Sequence, residues 1–256
     1  MMSPLLAVLA ACLVAASAWR LRALDIGGAL AATLVGAALL WGLGWGGAAV
    51  LLAFFIPTTL VSRLLPDATS RWDAKGNNRD AWQVLANGGA AAAAAVIWNG
   101  QPLGLALATA ALAAAAADTW ATSLGSLSQA RPRSIITWRA VPAGTSGGVT
   151  WPGTAGGALG GAVVAAAGWL VSGNARLAAT ALLAGVIGML VDSLLGASLQ
   201  GRFQCPACGR ATERRRHSCG TESVPTGGLS WFTNDGVNAM ATMVAACLAW
   251  LAAPAG

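Results

Sequence analysis

Charge is the scarcest property of this chain. Only 9% of its 256 residues are Asp, Glu, Lys or Arg, where a water-soluble domain carries about 25%. Together with 56% hydrophobic residues and a mean hydropathy of +0.64, this excludes a soluble enzyme. Disorder is excluded as well, because it needs low hydrophobicity and high net charge. Tyrosine is absent and His217 is the sole histidine. No Gly-x-x-x-x-Gly-Lys-Ser/Thr signature occurs, so the chain is not read as a P-loop nucleotide hydrolase.

What remains is a series of apolar stretches, and a spanning helix needs about 20 such residues. Eight candidates run over 4–19, 26–43, 46–65, 82–98, 103–122, 153–171, 177–199 and 235–251. Trp19, Trp45, Trp82, Trp98, Trp151 and Trp250 fall at their ends, where amphipathic rings favour the headgroup zone. The expected fold is all-α: a polytopic transmembrane helix bundle of about eight spans, residues 1–256 forming one domain, with a small Cys/His loop over 201–233 on the cytoplasmic side. Ala16-Ser17-Ala18 resembles a signal-peptide cleavage site, but Arg20 and Arg22 follow the apolar core instead of preceding it.

If all eight stretches cross, every basic residue except Arg176 falls on one side. The positive-inside rule makes that side cytoplasmic. The expected location is therefore the inner cell membrane, multi-pass, with the active face toward the cytosol. The net charge of +6 is spread over short juxtamembrane loops. It therefore reads as headgroup-facing charge, and no nucleic-acid polymer is expected as a partner.

Aspartates inside spans are the most informative residues, since each costs about 2.5 to 3.5 kcal/mol at mid-membrane on insertion scales. Asp118 and Asp192 each lie 15 positions into their spans. At 1.5 Å per residue, both sit about 22 Å into a core of about 30 Å. Asp235 opens the last span between Asn234 and Asn238, and Asp80, Gln83 and Asn87 share one helix face. Hard oxygen ligands of this kind suit Mg²⁺, with Asp118, Asp192 and Asp235 as its expected carboxylates. The alternative is that each polar group only bonds a neighbouring helix.

Two glycine-rich runs, 144–148 and 153–157, offer backbone N–H groups to phosphate oxygens or let helices pack closely. Arg131, Arg133 and Arg139 precede them, and their planar guanidinium groups match phosphate. Further along, Cys205 and Cys208 are followed by His217 and Cys219, a candidate Cys₃His zinc site. Free thiols are the other reading. Cys12 and Cys247 lie in spans as apolar filler.

Five blocks taken in order resemble the integral membrane family named domain of unknown function 92, which includes transmembrane protein 19 and a plant phytyl-phosphate kinase. They are Gln83-Val84-Leu85-Ala86-Asn87-Gly88, Ala117-Asp118-Thr119-Trp120-Ala121-Thr122, Pro142-Ala143-Gly144-Thr145-Ser146-Gly147-Gly148-Val149, Val191-Asp192-Ser193-Leu194-Leu195-Gly196-Ala197 and Asn234-Asp235-Gly236-Val237-Asn238. The resemblance implies cytosol-facing, Mg²⁺-dependent transfer of a phosphoryl group from CTP or ATP to a prenyl or phytyl monophosphate, giving the diphosphate. Asp118, Asp192 and Asp235 would be the catalytic, metal-holding residues. Asn87, Arg133, Arg139, Gly147, Gly148, Asn234 and Asn238 would bind nucleotide and substrate. Membrane lipid, a nucleoside triphosphate and a prenyl phosphate are the implied partners. One departure stands out: where the family pattern runs Asp-Thr-x-Ala-Ser-Glu, this chain has Thr122-Ser123-Leu124, so the acid is absent. A transporter of a lipid phosphate or ion, and a cytidylyltransferase-like lipid enzyme, are the competing readings.

Overall fold

Capping residues set where the helices begin. The structure, a computed structural model, describes residues 2–65 and 78–253; Arg71 and Lys75 of the basic loops lie outside them. Ser3 caps α1 (Pro4–Arg20), with Pro4 in the first turn, and Asp25 caps α2 (Ile26–Leu64) through Gly28 N–H. Asp80 and Gln83 form a reciprocal capping box on α3 (Ala81–Ile97), and Pro102 opens α4 (Pro102–Gly125). Thr150, Asn174 and Thr233 cap α5 (Trp151–Ser172), α6 (Ala175–Ser198) and α7 (Asn234–Leu251). Each cap supplies an acceptor to N–H groups that have no partner inside the helix.

The described residues thus hold seven helices where eight separate ones were expected. The second and third apolar stretches run together in α2, which is broken at Gly44 (φ 61°, ψ −148°). A Cβ on Gly36 would lie 3.8 Å from Leu51 Cδ2, yet 15 residues of continuous helix span about 22 Å. Hence α2 doubles back on itself at Gly44, a conformation that glycine adopts without a Cβ penalty. By length and composition, α2, α4, α5 and α6 are apolar enough to cross a membrane, while α1 and α3 are 17-residue apolar helices.

α4 occupies the centre. Every residue from Leu107 to Ala117 is buried, as expected of a helix with neighbours on all sides, and it packs on α2, α3, α5, α6 and α7. Small residues make this approach feasible where lipid offers no hydrophobic drive for helix association. A Cβ on Gly153, Gly157 or Gly160 would come within 2.9 Å of the carbonyl oxygens of Ala121, Ala117 and Ala116. The second glycine run is therefore a packing surface against α4. Gly157→Val is expected to destabilise the bundle by about 1 to 3 kcal/mol through overpacking, read as a lower Tm in detergent.

Two small sheets lie outside the helices. β1 (Arg133–Ser134) pairs antiparallel with β2 (Gly148–Val149). β3 (Arg202–Gln204) lies between β4 (Ala211–Thr212) and β5 (Val224–Gly227). Both sheets sit at the arginine-rich end. Arg176, at the opposite end, donates to Ala252 O at the close of α7.

Candidate functional site

α4 and α6 run in parallel, and α7 runs against both. A Cβ on Gly188 of α6 would touch Ala114 Cβ of α4 and lie 3.1 Å from Ala241 O of α7, which fixes these three residues in one layer. Asp118 and Asp192 are each four residues beyond that layer toward the arginine-rich end, and Asn238 is three residues beyond it in the same direction. One helical turn thus brings the three side chains to a common depth.

The Asp118 and Asp192 carboxyl groups meet within hydrogen-bonding reach of each other, and Glu213 from the 201–233 loop is near enough for its charge to act on Asp192. Asp192 and Asn238 are both 9% exposed. Asp192 Oδ2 and Asn238 Oδ1 are buried with no hydrogen-bond partner among the described residues. Unpaired buried acceptors cost about 1 to 3 kcal/mol each, so such a pair calls for a ligand. Asp235 sits one turn further along α7, half-buried, in the first turn after the Thr233 cap; Asn234 beside it is exposed.

The first glycine run packs onto the same region. Gly147 has φ 77°, and a Cβ there would lie 2.6 Å from Ser193 O and against Ala197. Ser146 Oγ donates to Gln200 Oε1 at 2.9 Å, while Gln200 Nε2 is buried with no partner among the described residues. Ile135 N–H donates to Gly147 O, and Ser134 N–H to Arg139 O. Gly148, Arg133 and Arg139 therefore belong to one hairpin fastened beside Asp192. Both arginines are exposed, and Arg133 also donates to Trp138 O at 2.9 Å.

The polar face of α3 is placed differently. Asp80 and Gln83 serve the capping box, and Gln83 and Asn87 line a cavity of about 160 Å³ between α1, α2 and α3. Its walls are mainly apolar, including Ala11, Val35 and Phe54, and none of the three site aspartates lines it. Arg79 also lines it, with its guanidinium 6.0 Å from the Phe54 and Phe55 ring centres. Burial pulls the Arg79 pKa down to about 10, which leaves it cationic at neutral pH.

In the 201–233 loop, the ligand atoms of Cys205, Cys208, His217 and Cys219 all lie within 4.8 Å of one another. Cys205 and Cys219 Sγ are 3.6 Å apart, His217 Nδ1 is 3.1 Å from Cys219 Sγ and 3.8 Å from Cys208 Sγ, and the three cysteines are free thiols. Cys205 and His217 are buried. Hydrogen bonds from Thr221 first, then His217, draw the Cys219 thiol down to about 5, while its hydrogen bond with Cys219 pushes Cys208 up to about 11.

Sequence reasoning missed three residues of this region. Gln200 was hidden as the residue just past an apolar helix, and Ser146 as one of a run of small residues. Glu213 was legible as an acid inside the arginine-rich segment 210–216, although its approach to Asp192 was not.

The family model for the integral membrane protein DUF92 matches residues 9–246. An uncharacterized membrane protein of Methanocaldococcus jannaschii is 32% identical over 194 residues, covering 74% of this chain and 80% of the relative. Protein PGR of Arabidopsis thaliana is 29% identical over 278 residues, covering 96% of this chain and 94% of the relative. No solved structure matches. With the match reaching from α1 into α7 and taking in Asp118, Asp192 and Asp235, the chain belongs to the DUF92 family of integral membrane proteins.

Proposed function

We propose that this protein is a membrane-embedded phosphotransferase that moves a phosphoryl group from CTP or ATP to a prenyl or phytyl monophosphate at the cytosolic face of the inner membrane. The observation that carries this reading is the meeting of Asp118 and Asp192 from separate helices, with a buried Asp192 oxygen that lacks a partner among the described residues. Ionised residues inside a membrane are functional by default. The orphaned oxygens of Asp192 and Asn238 and the all-oxygen donor set fit Mg²⁺, which takes one or two carboxylates plus substrate phosphates. Asp118 and Asp192 would hold it, with Asp235 as a third ligand or a support. When bound, the ion neutralises charge on the nucleotide's phosphates.

The chain's own groups supply positioning. The Gly147-Gly148 turn is fixed against α6, with the Gly148 N–H donated to Thr145 O, and Arg133 and Arg139 on the joined hairpin bring cationic forks to the donor and acceptor phosphates. Asn234 and Asn238 orient sugar or phosphate oxygens. An acceptor phosphate is already anionic near neutral pH, so no strong general base is required, in keeping with a chain whose one histidine sits among cysteines. The prenyl tail lies between helices, among small residues.

Purified protein in liposomes, given Mg²⁺, CTP or ATP, and phytyl or geranylgeranyl phosphate, is expected to yield the corresponding diphosphate by mass spectrometry. The absence of diphosphate with either nucleotide and either lipid would overturn the reading. Nucleotide-independent movement of the lipid phosphate across the bilayer would instead favour transport.

A further inference from the structure

The 201–233 loop carries four metal-ligand side chains that the phosphoryl-transfer site does not use. An ion bonded to sulfur at about 2.3 Å and to imidazole nitrogen at about 2.0 to 2.1 Å in tetrahedral geometry separates its ligands by about 3.8 Å (S to S) and 3.6 Å (S to N). The 3.6 Å between Cys205 and Cys219 and the 3.8 Å between Cys208 and His217 match those edges closely.

The backbone is folded for the same purpose. Cys205 N–H donates to Arg210 O, and Gly209 N–H to Cys205 O, closing a turn that ends at Gly209 with φ 65°. Gly220 N–H donates to His217 O, closing a second turn that ends with φ 87°. Each turn thus ends in a left-handed glycine directly after a cysteine, and the two turns face each other. Cys205 and His217 are buried although the loop is short and largely polar. An apolar core of one phenylalanine pair, Phe203 and Phe232, is too small to hold such a loop by itself.

We propose that Cys205, Cys208, His217 and Cys219 bind one zinc-class ion, and that this ion clamps the two turns of the 201–233 loop to each other.

Full-length protein purified without chelator is expected to contain one zinc per chain by elemental mass spectrometry. Cobalt exchanged into it should give the thiolate charge-transfer and d–d absorption of a tetrahedral site. Cys208→Ser should lose the metal, while Cys208→His, which keeps a ligand, should retain it and shows that loss is not mere misfolding. Zinc-free wild-type protein without a cobalt spectrum overturns the metal site.

Discussion

Asp118→Asn and Asp192→Asn are each expected to lower prenyl-phosphate phosphorylation by on the order of 10² to 10³-fold, the usual loss when one preorganised electrostatic group is removed from a reaction centre. The proteins should remain folded. Two carboxylates brought together in a buried place repel each other and lose hydration, so a neutral amide of the same shape relieves stress in the metal-free protein. The Tm in detergent should therefore hold or rise while turnover collapses, the pattern of a site whose residues are kept for chemistry at the expense of stability. Asp118 contacts Asp192 directly, so the double variant should be scarcely worse than either single one. Full turnover in both well-folded variants would refute the metal assignment.

Gly147→Ala should be damaging for a different reason. Its φ of 77° costs an L-residue about 1 to 2 kcal/mol, and the added methyl meets Ala197 and the Ser193 carbonyl. With overpacking of about 1 to 3 kcal/mol, the turn is expected to lift away from α6 and take Arg133 and Arg139 with it. Nucleotide KM should rise strongly, while Mn²⁺ binding at Asp118 and Asp192 should persist. If instead KM is unchanged, the hairpin does not hold the phosphates. Gly173→Ala, at the left-handed cap that closes α5 and with open space around it, is a control for backbone strain alone.

Much of this arrangement was legible in the residues. Equal spacing from the helix starts put Asp118 and Asp192 at one depth, and their high insertion cost marked them as candidates. The short separations among Cys205, Cys208, His217 and Cys219 announced a cluster. Other features resisted reading because their meaning depends on distant partners. Asp80 and Gln83 look like members of a polar face, yet the helix starts between them, at Ala81, and turns them into a capping box. The two glycine runs are alike in composition; one packs on α4 and the other forms a left-handed turn against α6. Asn87 shares a face with Gln83 and points to the cavity beside Arg79, away from the aspartates.

By itself, the sequence determined that this is a membrane protein of apolar helices, where most of them begin, and which carboxylates are costly to place within them. These are local quantities: hydropathy, capping chemistry and the price of charge in hydrocarbon act on each segment alone. Only the tertiary structure decided that α2 reverses at Gly44, that α4 is enclosed, and that Ser146 and Gln200 meet beside Gly196 of α6. Those outcomes depend on which small residues let which backbones approach, and contact between residues far apart in the chain is settled by packing in three dimensions.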